Sequence, residues 1–221
     1  MPLVRRNIAV TIIAHFNQID HITGPQSQES RVRFRQDSIA ALNADILWVE
    51  KQTDTAISEE MRQLEGINWD INIPLYAGAK KNLMHQLHSL SRVSQLIRMA
   101  DLQTPDVFAL LRADLQYLDD LDVDAIQTAL TTGQTDIITP NWQKWHGLND
   151  RFAFVSPDAV HHVLNRRTLV DAFAKTHGFI NAERLLLFAA QTFDLRQGFT
   201  AMRAERVRGT GRVRFESFDP T

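Results

Sequence analysis

Arg112 and Asp114 follow directly after residues 107–111, an apolar run that is typical of a buried strand. In open α/β sheets, the carboxyl ends of the strands face the ligand crevice. A guanidinium group pairs with phosphate oxygens, and a carboxylate binds hard divalent cations. The two residues could therefore hold a diphosphate and its metal ion, as a nucleotide-sugar site requires. The alternative is that they form an ion pair or cap a turn.

A polar loop with two tryptophans precedes the next strand. Trp142, Trp145 and His146 follow within a few residues of Pro140. Aromatic faces stack well on sugar rings, and surface loops commonly carry the specificity of a site. We therefore expect these three side chains to bind an acceptor sugar. The alternative is a hydrophobic plug beneath the loop.

The C-terminal stretch is basic and has the composition of a strand. Arg206 and Arg208 are two of its arginines, and Gly209 and Gly211 follow them. Guanidinium forks recognise phosphate, so a basic segment that contains glycine could close over a diphosphate. The alternative is a solvated edge strand whose charges protect it from aggregation.

Composition places the chain in an ordinary globular class. Its 221 residues are enough for one compact α/β domain, and a net charge of -2 favours neither nucleic acid nor a membrane surface as a partner. The absence of cysteine excludes disulfides, thiolate catalysis and Cys-based zinc sites. We expect a cytoplasmic protein without a transmembrane segment, because no apolar stretch approaches the length of a bilayer span. The short run 8–14 after Arg5 and Arg6 is better interpreted as an internal strand than as a signal peptide.

Short apolar runs alternate with helical patterns along the chain. Strands are predicted at residues 8–13, 44–50, 107–111, 136–139 and 152–155. Helices are predicted at residues 58–64 with Ser58 as the N-cap, at 80–100, at 123–131, from Ser156 towards Gly178, and at 181–193. This alternation indicates helices packed on a largely parallel sheet.

Four segments carry a family resemblance, and they occur in a fixed order. Residues 82–90 open the long helix, and residues 108–115 contain an Arg-x-Asp-Leu core. Residues 149–153 form the third segment, and Glu183 with residues 206–208 forms the last. The pattern resembles the GT-A-type glycosyltransferases that use nucleotide sugars in bacterial and viral polysaccharide or capsule assembly. The matched part runs from about residue 80 to about residue 212.

The resemblance implies one Rossmann-like GT-A domain over residues 1–221, with a mostly parallel central sheet flanked by helices. An N-terminal part, 1–78, and a C-terminal part, 79–221, would contribute to that one sheet. Its strands would be buried on both faces, because their apolar runs show no clean alternation. The strands expected in it are 8–13, 46–49, 107–111 and 152–155.

The implied activity is transfer of a sugar from a nucleotide-sugar donor to a hydroxyl acceptor. Asp150 and Glu183 would be the candidates for the catalytic base, and Asn149 would join the acceptor site. Asp114 would bind Mn²⁺ or Mg²⁺ at the donor diphosphate. The structural alternative for Asn149 and Asp150 is an Asx turn. The structural alternative for Glu183 is a favourable interaction with the dipole of its helix, worth about 0.3–1 kcal/mol.

The alternative is a catalytically inactive module that binds a nucleotide or a sugar on the same fold. Asp114 is the only acid at the expected metal position, where the family pattern has two. The N-terminal strand is followed by residues 14–17, Ala-His-Phe-Asn, where the pattern has glycine and arginine.

Overall fold

A computed structural model of the chain describes residues 8–24, 29–33, 37–69, 78–100 and 105–220. The strands are β1 (Ile13–Gln18), β2 (His21–Gly24), β3 (Glu29–Arg33), β4 (Ile46–Lys51), β5 (Asn68–Trp69), β6 (Phe108–Leu110), β7 (Leu115–Tyr117), β8 (Ile137–Pro140), β9 (Ala153–Val155), β10 (Phe179–Ile180), β11 (Gln197–Thr200), β12 (Ala204–Val207) and β13 (Val213–Arg214). The helices are α1 (Asp37–Ala40), α2 (Ser58–Gln63), α3 (Ala79–Met99), α4 (Val123–Thr131), α5 (Val160–Leu164), α6 (Val170–His177) and α7 (Ala182–Thr192). Short 3-10 turns cover Asp54–Ile57 and Arg166–Leu169. The chain is therefore a mixed α/β protein, as predicted.

The largest sheet has four strands in the order β11-β8-β9-β6. β11 runs parallel to β8, whereas β9 runs antiparallel to both β8 and β6. Every residue of β8 and β9 is buried, because α5 and α7 cover one face and α4 covers the other. The expected burial on both faces is confirmed for β9. It is wrong for β4, whose residues alternate between half-buried and exposed, and for β6, whose central residue Ala109 is exposed.

The expectation that both parts of the chain share one mostly parallel sheet is wrong for the described residues. β1 and β4 form a separate parallel pair, while β6 and β9 belong to the four-stranded sheet. Parallel neighbours need a crossover connection, usually a helix. Residues 141–152 join β8 to β9 without a helix, so the chain turns back and the two strands pair antiparallel.

β1 begins at Ile13 rather than at Ile8 and continues through polar residues. His15 and Asn17 point from it towards α3, where the His15 Nδ1 atom lies 3.0 Å from the Ser89 hydroxyl. The Asn17 amide donates to the same hydroxyl at 2.9 Å. The strand therefore extends past its apolar run, because helix α3 supplies hydrogen-bonding partners for its polar side chains.

Two helix predictions need correction, and the other three are confirmed, including the helix at residues 123–131, which is α4. The helix expected from residue 156 to Gly178 is broken by the 3-10 turn between α5 and α6. Ser58 is the first residue of α2 rather than its cap, and its hydroxyl donates to the Thr55 carbonyl at 3.0 Å. Helix α3 matches the prediction closely, and Asn181 caps α7 by accepting a hydrogen bond from the Arg184 amide at 2.9 Å.

Two smaller pairings complete the frame around the sheet. β5 pairs parallel with β10, which ties the N-terminal part to the core formed by α3, α6 and α7. β12 pairs antiparallel with β7 and with β13, so the basic C-terminal stretch does form strands. The pairing of β12 with β7 places β12 beside the residues that follow β6.

Candidate functional site

One edge of the four-stranded sheet gathers most of the charged residues selected from the sequence. Leu110 pairs with Ala153 in the β6–β9 register, so the segment leaving β6 lies beside the segment entering β9. β8 and β11 end at this same edge. We call the resulting cluster the charged recess; its members are Arg112, Asp114, Asp150, Arg151, Arg166, Glu183, Arg206 and Glu216.

Arg112 and Asp114 form a two-pronged ion pair in the recess. Arg112 Nε donates to Asp114 Oδ1 at 2.8 Å, and Arg112 Nη2 donates to Asp114 Oδ2 at 2.7 Å. Burial opposes the charge of each group, but the pairing outweighs it, so the pKa of Arg112 is raised and the pKa of Asp114 is lowered. The side chains remain 31% and 46% exposed although protein surrounds them, so they line the wall of an open recess.

Asp150 and Glu183 are close enough for their charges to interact. The Gln86 amide donates to Asp150 Oδ2 at 2.9 Å. Burial acts to raise the pKa of Asp150, but the charges of Arg112 and Arg166 lower it overall. Burial, together with the negative charge of Asp150, raises the pKa of Glu183 to about 7. Two neighbouring carboxyl groups with opposite pKa shifts are the arrangement by which enzymes separate a permanent anion from a proton-transfer group.

Gly147 brings the 141–152 loop directly onto the start of α7. A Cβ atom at this position would lie 2.2 Å from the carbonyl carbon and oxygen of Glu183 and 2.5 Å from the Arg184 nitrogen. The Leu148 amide donates to the Glu183 carbonyl at 3.0 Å. Glycine is therefore required here for space, and this contact fixes where Asp150 lies relative to Glu183.

Two arginines of the recess share one buried carboxylate at long range. Arg151 Nη1 lies 3.5 Å from Glu216 Oε1, and Arg206 Nε lies 4.0 Å from the same oxygen. Within the described residues, these three atoms are buried and have no hydrogen-bond partner. Burial, with the positive charges of Arg151 and Arg112, lowers the pKa of Arg206 to about 10. Arg151 Nη1 and Arg206 Nε therefore retain hydrogen-bonding capacity within the recess.

Arg166 is a member of the recess that the sequence analysis missed. It is 3% exposed, and its Nη1 atom donates to the Val163 carbonyl at 2.8 Å. Burial lowers its pKa, whereas the charges of Asp150 and Glu183 act in the opposite direction. A signal was available, because Arg166 falls at helical spacing between Val163 and Val170 on a predicted apolar face. An arginine at such a position must be paired or functional.

The expected acceptor loop divides into buried and exposed residues. Trp142 is 0% exposed, and its indole nitrogen donates to the Met202 carbonyl at 3.0 Å. Asn149 is also buried, and its amide donates to the Trp142 carbonyl at 2.5 Å. Trp142 and Asn149 therefore pack beneath the loop, in agreement with the alternative of a plug rather than with binding of an acceptor sugar. Trp145 and His146 are exposed, at left-handed φ values of 46° and 63°.

Arg208 lies two residues beyond Arg206 in the C-terminal stretch. It follows the end of β12 and opens the turn to β13, where its backbone nitrogen donates to the Arg212 carbonyl at 2.8 Å. Its predicted role in binding a diphosphate stays a prediction.

The donor set around Asp114 does not fit a divalent cation. Both of its oxygens accept hydrogen bonds from Arg112, and Arg206 and Arg151 add further positive charge. In the described part of the chain, no group of three or more His, Cys, Asp or Glu side chains is placed to hold a metal. The Asp114 carboxylate is therefore committed to Arg112.

A second polar cluster lies between the β1–β4 pair and α3. We call it the strand network; its members are His15, Asn17, Glu50, Glu60, His88, Ser89, Arg92 and Arg167. His15 lies 3.3 Å from Glu50 through Nε2 and contacts Ser89 through Nδ1. This serine–histidine–glutamate order is that of a nucleophilic relay, but the His15 side chain is 0% exposed, so no substrate reaches it.

The comparisons with known proteins add no assignment. Neither the protein-family models nor the curated proteins include one that matches this chain. Among the helices of the described segments, none is both long enough and apolar enough to cross a membrane.

Proposed function

We propose that the charged recess transfers a sugar from a nucleotide-sugar donor to a hydroxyl acceptor. The observation that carries this proposal is the combination of incompletely paired arginines with a carboxyl group that titrates near neutrality. Arg206 and Arg151 supply the positive charge, and Glu183, with its pKa raised to about 7, supplies the titrating group. The resemblance of the four sequence segments to GT-A-type glycosyltransferases supports the same reaction.

The arginines would bind and stabilise the leaving diphosphate. Charge develops on the diphosphate as the bond to the sugar breaks, and preorganised donors at that point lower the barrier. Arg112 is oriented by its two hydrogen bonds to Asp114, while Arg206 Nε lies 4.0 Å from its carboxylate partner and retains donor capacity. This set of guanidinium groups supplies the compensation that a metal ion supplies elsewhere.

Glu183 would act as the general base. The acceptor hydroxyl attacks the anomeric carbon, its proton passes to the Glu183 carboxylate, and the bond to the diphosphate breaks. A base whose pKa lies near the working pH is the most effective, because it is deprotonated often enough and still accepts a proton readily. Asp150, whose pKa is lowered, stays ionised beside it and keeps the pKa of Glu183 high.

The test separates binding of the donor from chemistry. Product formation is measured over a panel of nucleotide sugars and hydroxyl acceptors for the wild type and for Glu183→Gln, with donor binding followed by calorimetry. We expect turnover to fall by about 10²- to 10⁴-fold in the variant while donor binding persists. Glu205→Gln is the matched control, since Glu205 lies next to Arg206 on β12 but points to the opposite face. Equal turnover in Glu183→Gln and the wild type would remove Glu183 from the mechanism.

The inactive binding module remains the second candidate, favoured by one observation. Asp114, at the position where the family pattern has metal-binding acids, is held by Arg112 through both oxygens. A wild-type protein that binds a nucleoside diphosphate but yields neither sugar transfer nor hydrolysis of any donor would support the module.

A further inference from the structure

The segment that follows β13 places one acid inside the charged recess. We call residues 215–220 the strap. The side chain of Glu216 is 5% exposed and lies against Arg151 and Arg206, whereas Phe215 before it is 88% exposed. Most of the other strap residues are also exposed. The strap therefore inserts a single carboxylate into the recess from a segment that otherwise lies at the surface.

The contacts of Glu216 with the two arginines are not hydrogen bonds. Its Oε1 atom lies 3.5 Å from Arg151 Nη1 and 4.0 Å from Arg206 Nε, and no described residue supplies a hydrogen-bond partner to any of these three buried atoms. A charge-assisted hydrogen bond between such groups is about 2.7–2.9 Å long. A buried ion pair offsets the cost of removing its charges from water only when its geometry is close to ideal. Glu216 is therefore a weak ligand for these two guanidinium groups.

The strap is held in place mainly by side-chain contacts. The ring of Phe218 meets Trp142 edge to face, with the ring centroids 5.0 Å apart. The Gln143 amide donates to Glu216 Oε2 at 3.0 Å and to the next backbone carbonyl at 3.2 Å. An isolated backbone bridge joins Trp142 to Pro220. Segments held in this way open at a lower free-energy cost than the strands of a core sheet.

Glu216 and an anionic ligand would compete for the same donors. Arg151, Arg206 and Arg112 are close enough for their like charges to repel one another, so an anion between them is favourable. A phosphate group has several oxygens and accepts hydrogen bonds from two guanidinium forks at once. In the strap, a single oxygen of Glu216 faces both arginines. The carboxylate and a phosphate group would occupy the same space, so their binding is mutually exclusive.

We propose that the strap is autoinhibitory: Glu216 occupies the place of the donor diphosphate in the charged recess, and the strap must leave before the diphosphate binds. The inference rests on the proposed glycosyl transfer and names the regulation of its donor site. Only the fraction of molecules with an open strap binds the ligand, so the apparent affinity is reduced by that fraction. A substitution that weakens the strap therefore tightens binding, although it removes a contact.

Binding of inorganic pyrophosphate to the full chain, measured by calorimetry, tests the competition. Glu216→Gln keeps the shape of the side chain and removes its charge, so we expect it to bind pyrophosphate at least about tenfold more tightly than the wild type. Asp219→Asn is the matched control, because it removes the same charge from an exposed position of the strap, where the carboxylate accepts from the Ser217 hydroxyl at 2.6 Å. It should change the affinity by less than about twofold, since exposed charges are screened.

Phe218→Ala tests opening of the strap without a change of charge. The substitution removes the ring contact with Trp142 and favours the open strap, so we expect the affinity for pyrophosphate to rise by about threefold. Hydrogen exchange in residues 213–220 of the wild type should become faster when pyrophosphate is added, because the bound anion displaces the strap. This second measurement does not depend on the stability of any variant.

Two results would overturn the autoinhibition. Equal or weaker binding of pyrophosphate by Glu216→Gln would show that Glu216 does not compete with it, and slower exchange of the strap on addition of pyrophosphate would show that the strap closes over the ligand. Absence of binding to the wild type and to both strap variants would remove the strap proposal and the diphosphate site together. Unchanged binding in Glu216→Gln, with turnover lost in Glu183→Gln, removes the autoinhibition alone. Tighter binding in Glu216→Gln, without transfer from any nucleotide sugar, removes the glycosyl transfer alone.

Discussion

The charged recess and the strand network are built from the same residue types, but they differ in how completely those residues are paired. In the network, Arg167 donates to the Ala56 carbonyl at 2.6 Å, to His88 Nδ1 at 2.8 Å and to Glu60 Oε2 at 2.7 Å. In the recess, the nearest carboxylate oxygen to Arg206 Nε lies 4.0 Å away. Paired charges of the first kind hold elements together, whereas incompletely paired charges of the second kind are suited to a ligand.

The carboxyl groups of the two clusters show the same contrast. Burial acts to raise the pKa of Glu60, but its hydrogen bonds to Arg167 lower it overall. Burial and the charge of Asp150 both raise the pKa of Glu183. Glu183 is the more deeply buried of the two, and burial is the larger cause of its raised pKa; the charge of Asp150 adds to this rise, whereas Glu60 has a paired cation. A buried carboxyl group beside another acid is therefore a stronger indication of function than a carboxyl group paired with arginine.

The largest effect that we predict contrasts the two arginines. Arg167→Met should lower the free energy of unfolding by about 3 kcal/mol, because it leaves Glu60 without its paired cation. Arg206→Met should change stability by less than about 1 kcal/mol, since Arg206 is crowded by like charges, but it should weaken binding of a nucleoside diphosphate. Urea unfolding of both variants provides the comparison. Equal destabilisation by the two substitutions would contradict the distinction between network and recess.

The second prediction concerns the pH dependence of stability. The folded-state pKa of Glu183 is raised from 4.5 to about 7, so its contribution to stability is present below pH 4.5 and is lost as the pH rises to about 7. Relative to the wild type, Glu183→Gln should therefore gain stability over this range, by about 3 kcal/mol. Glu60→Gln is the matched control: because the pKa of Glu60 is lowered from 4.5, its contribution to stability is lost only below pH 4.5, so above that pH the variant's curve should run parallel to that of the wild type. Denaturation series from pH 4 to pH 8 would test both, and parallel curves for the wild type and Glu183→Gln would refute the shift.

A smaller effect is expected where the recess is assembled by the backbone. Gly147→Ala forces the 141–152 loop away from α7, because the added Cβ would overlap the Glu183 carbonyl. Overpacking of this kind costs about 1–3 kcal/mol. The displacement should also separate Asp150 from Glu183 and bring the pKa of Glu183 back towards its ordinary value. NMR titration of the Glu183 side-chain carboxyl would measure that change, and an unchanged pKa in the variant would show that the loop does not set the distance.

The sequence predicted the charged recess better than it predicted the sheet around it. Arg112 and Asp150 lie at the ends of strands, and strand ends can be located from apolar runs. The pairing of strands depends on connections instead: residues 141–152 contain no helix, so β9 turns back against β8. Nothing in the apolar pattern of β9 distinguishes a parallel from an antiparallel neighbour.

The sequence also could not predict which side chains of a loop are buried and which are exposed. Trp142 and Trp145 occur in the same polar loop, yet one is 0% exposed and the other 48%. The difference arises from tertiary contacts with Met202 and Phe218, which come from the distant C-terminal stretch. Arg166 is the opposite case, since its position on an apolar helical face was visible in the sequence.

The backbone of the 141–152 loop has a consequence for the evolution of this surface. Gln143, Trp145 and His146 adopt φ values of 46°, 46° and 63°. This is the left-handed region, which glycine adopts more readily than residues with a Cβ atom. Each such residue carries a strain of about 1–2 kcal/mol. A chain selected only for folding would accumulate glycine at these positions. Trp145 and His146 therefore cost the loop stability, so a variant with glycine at both positions should gain melting temperature and lose two exposed rings from this surface.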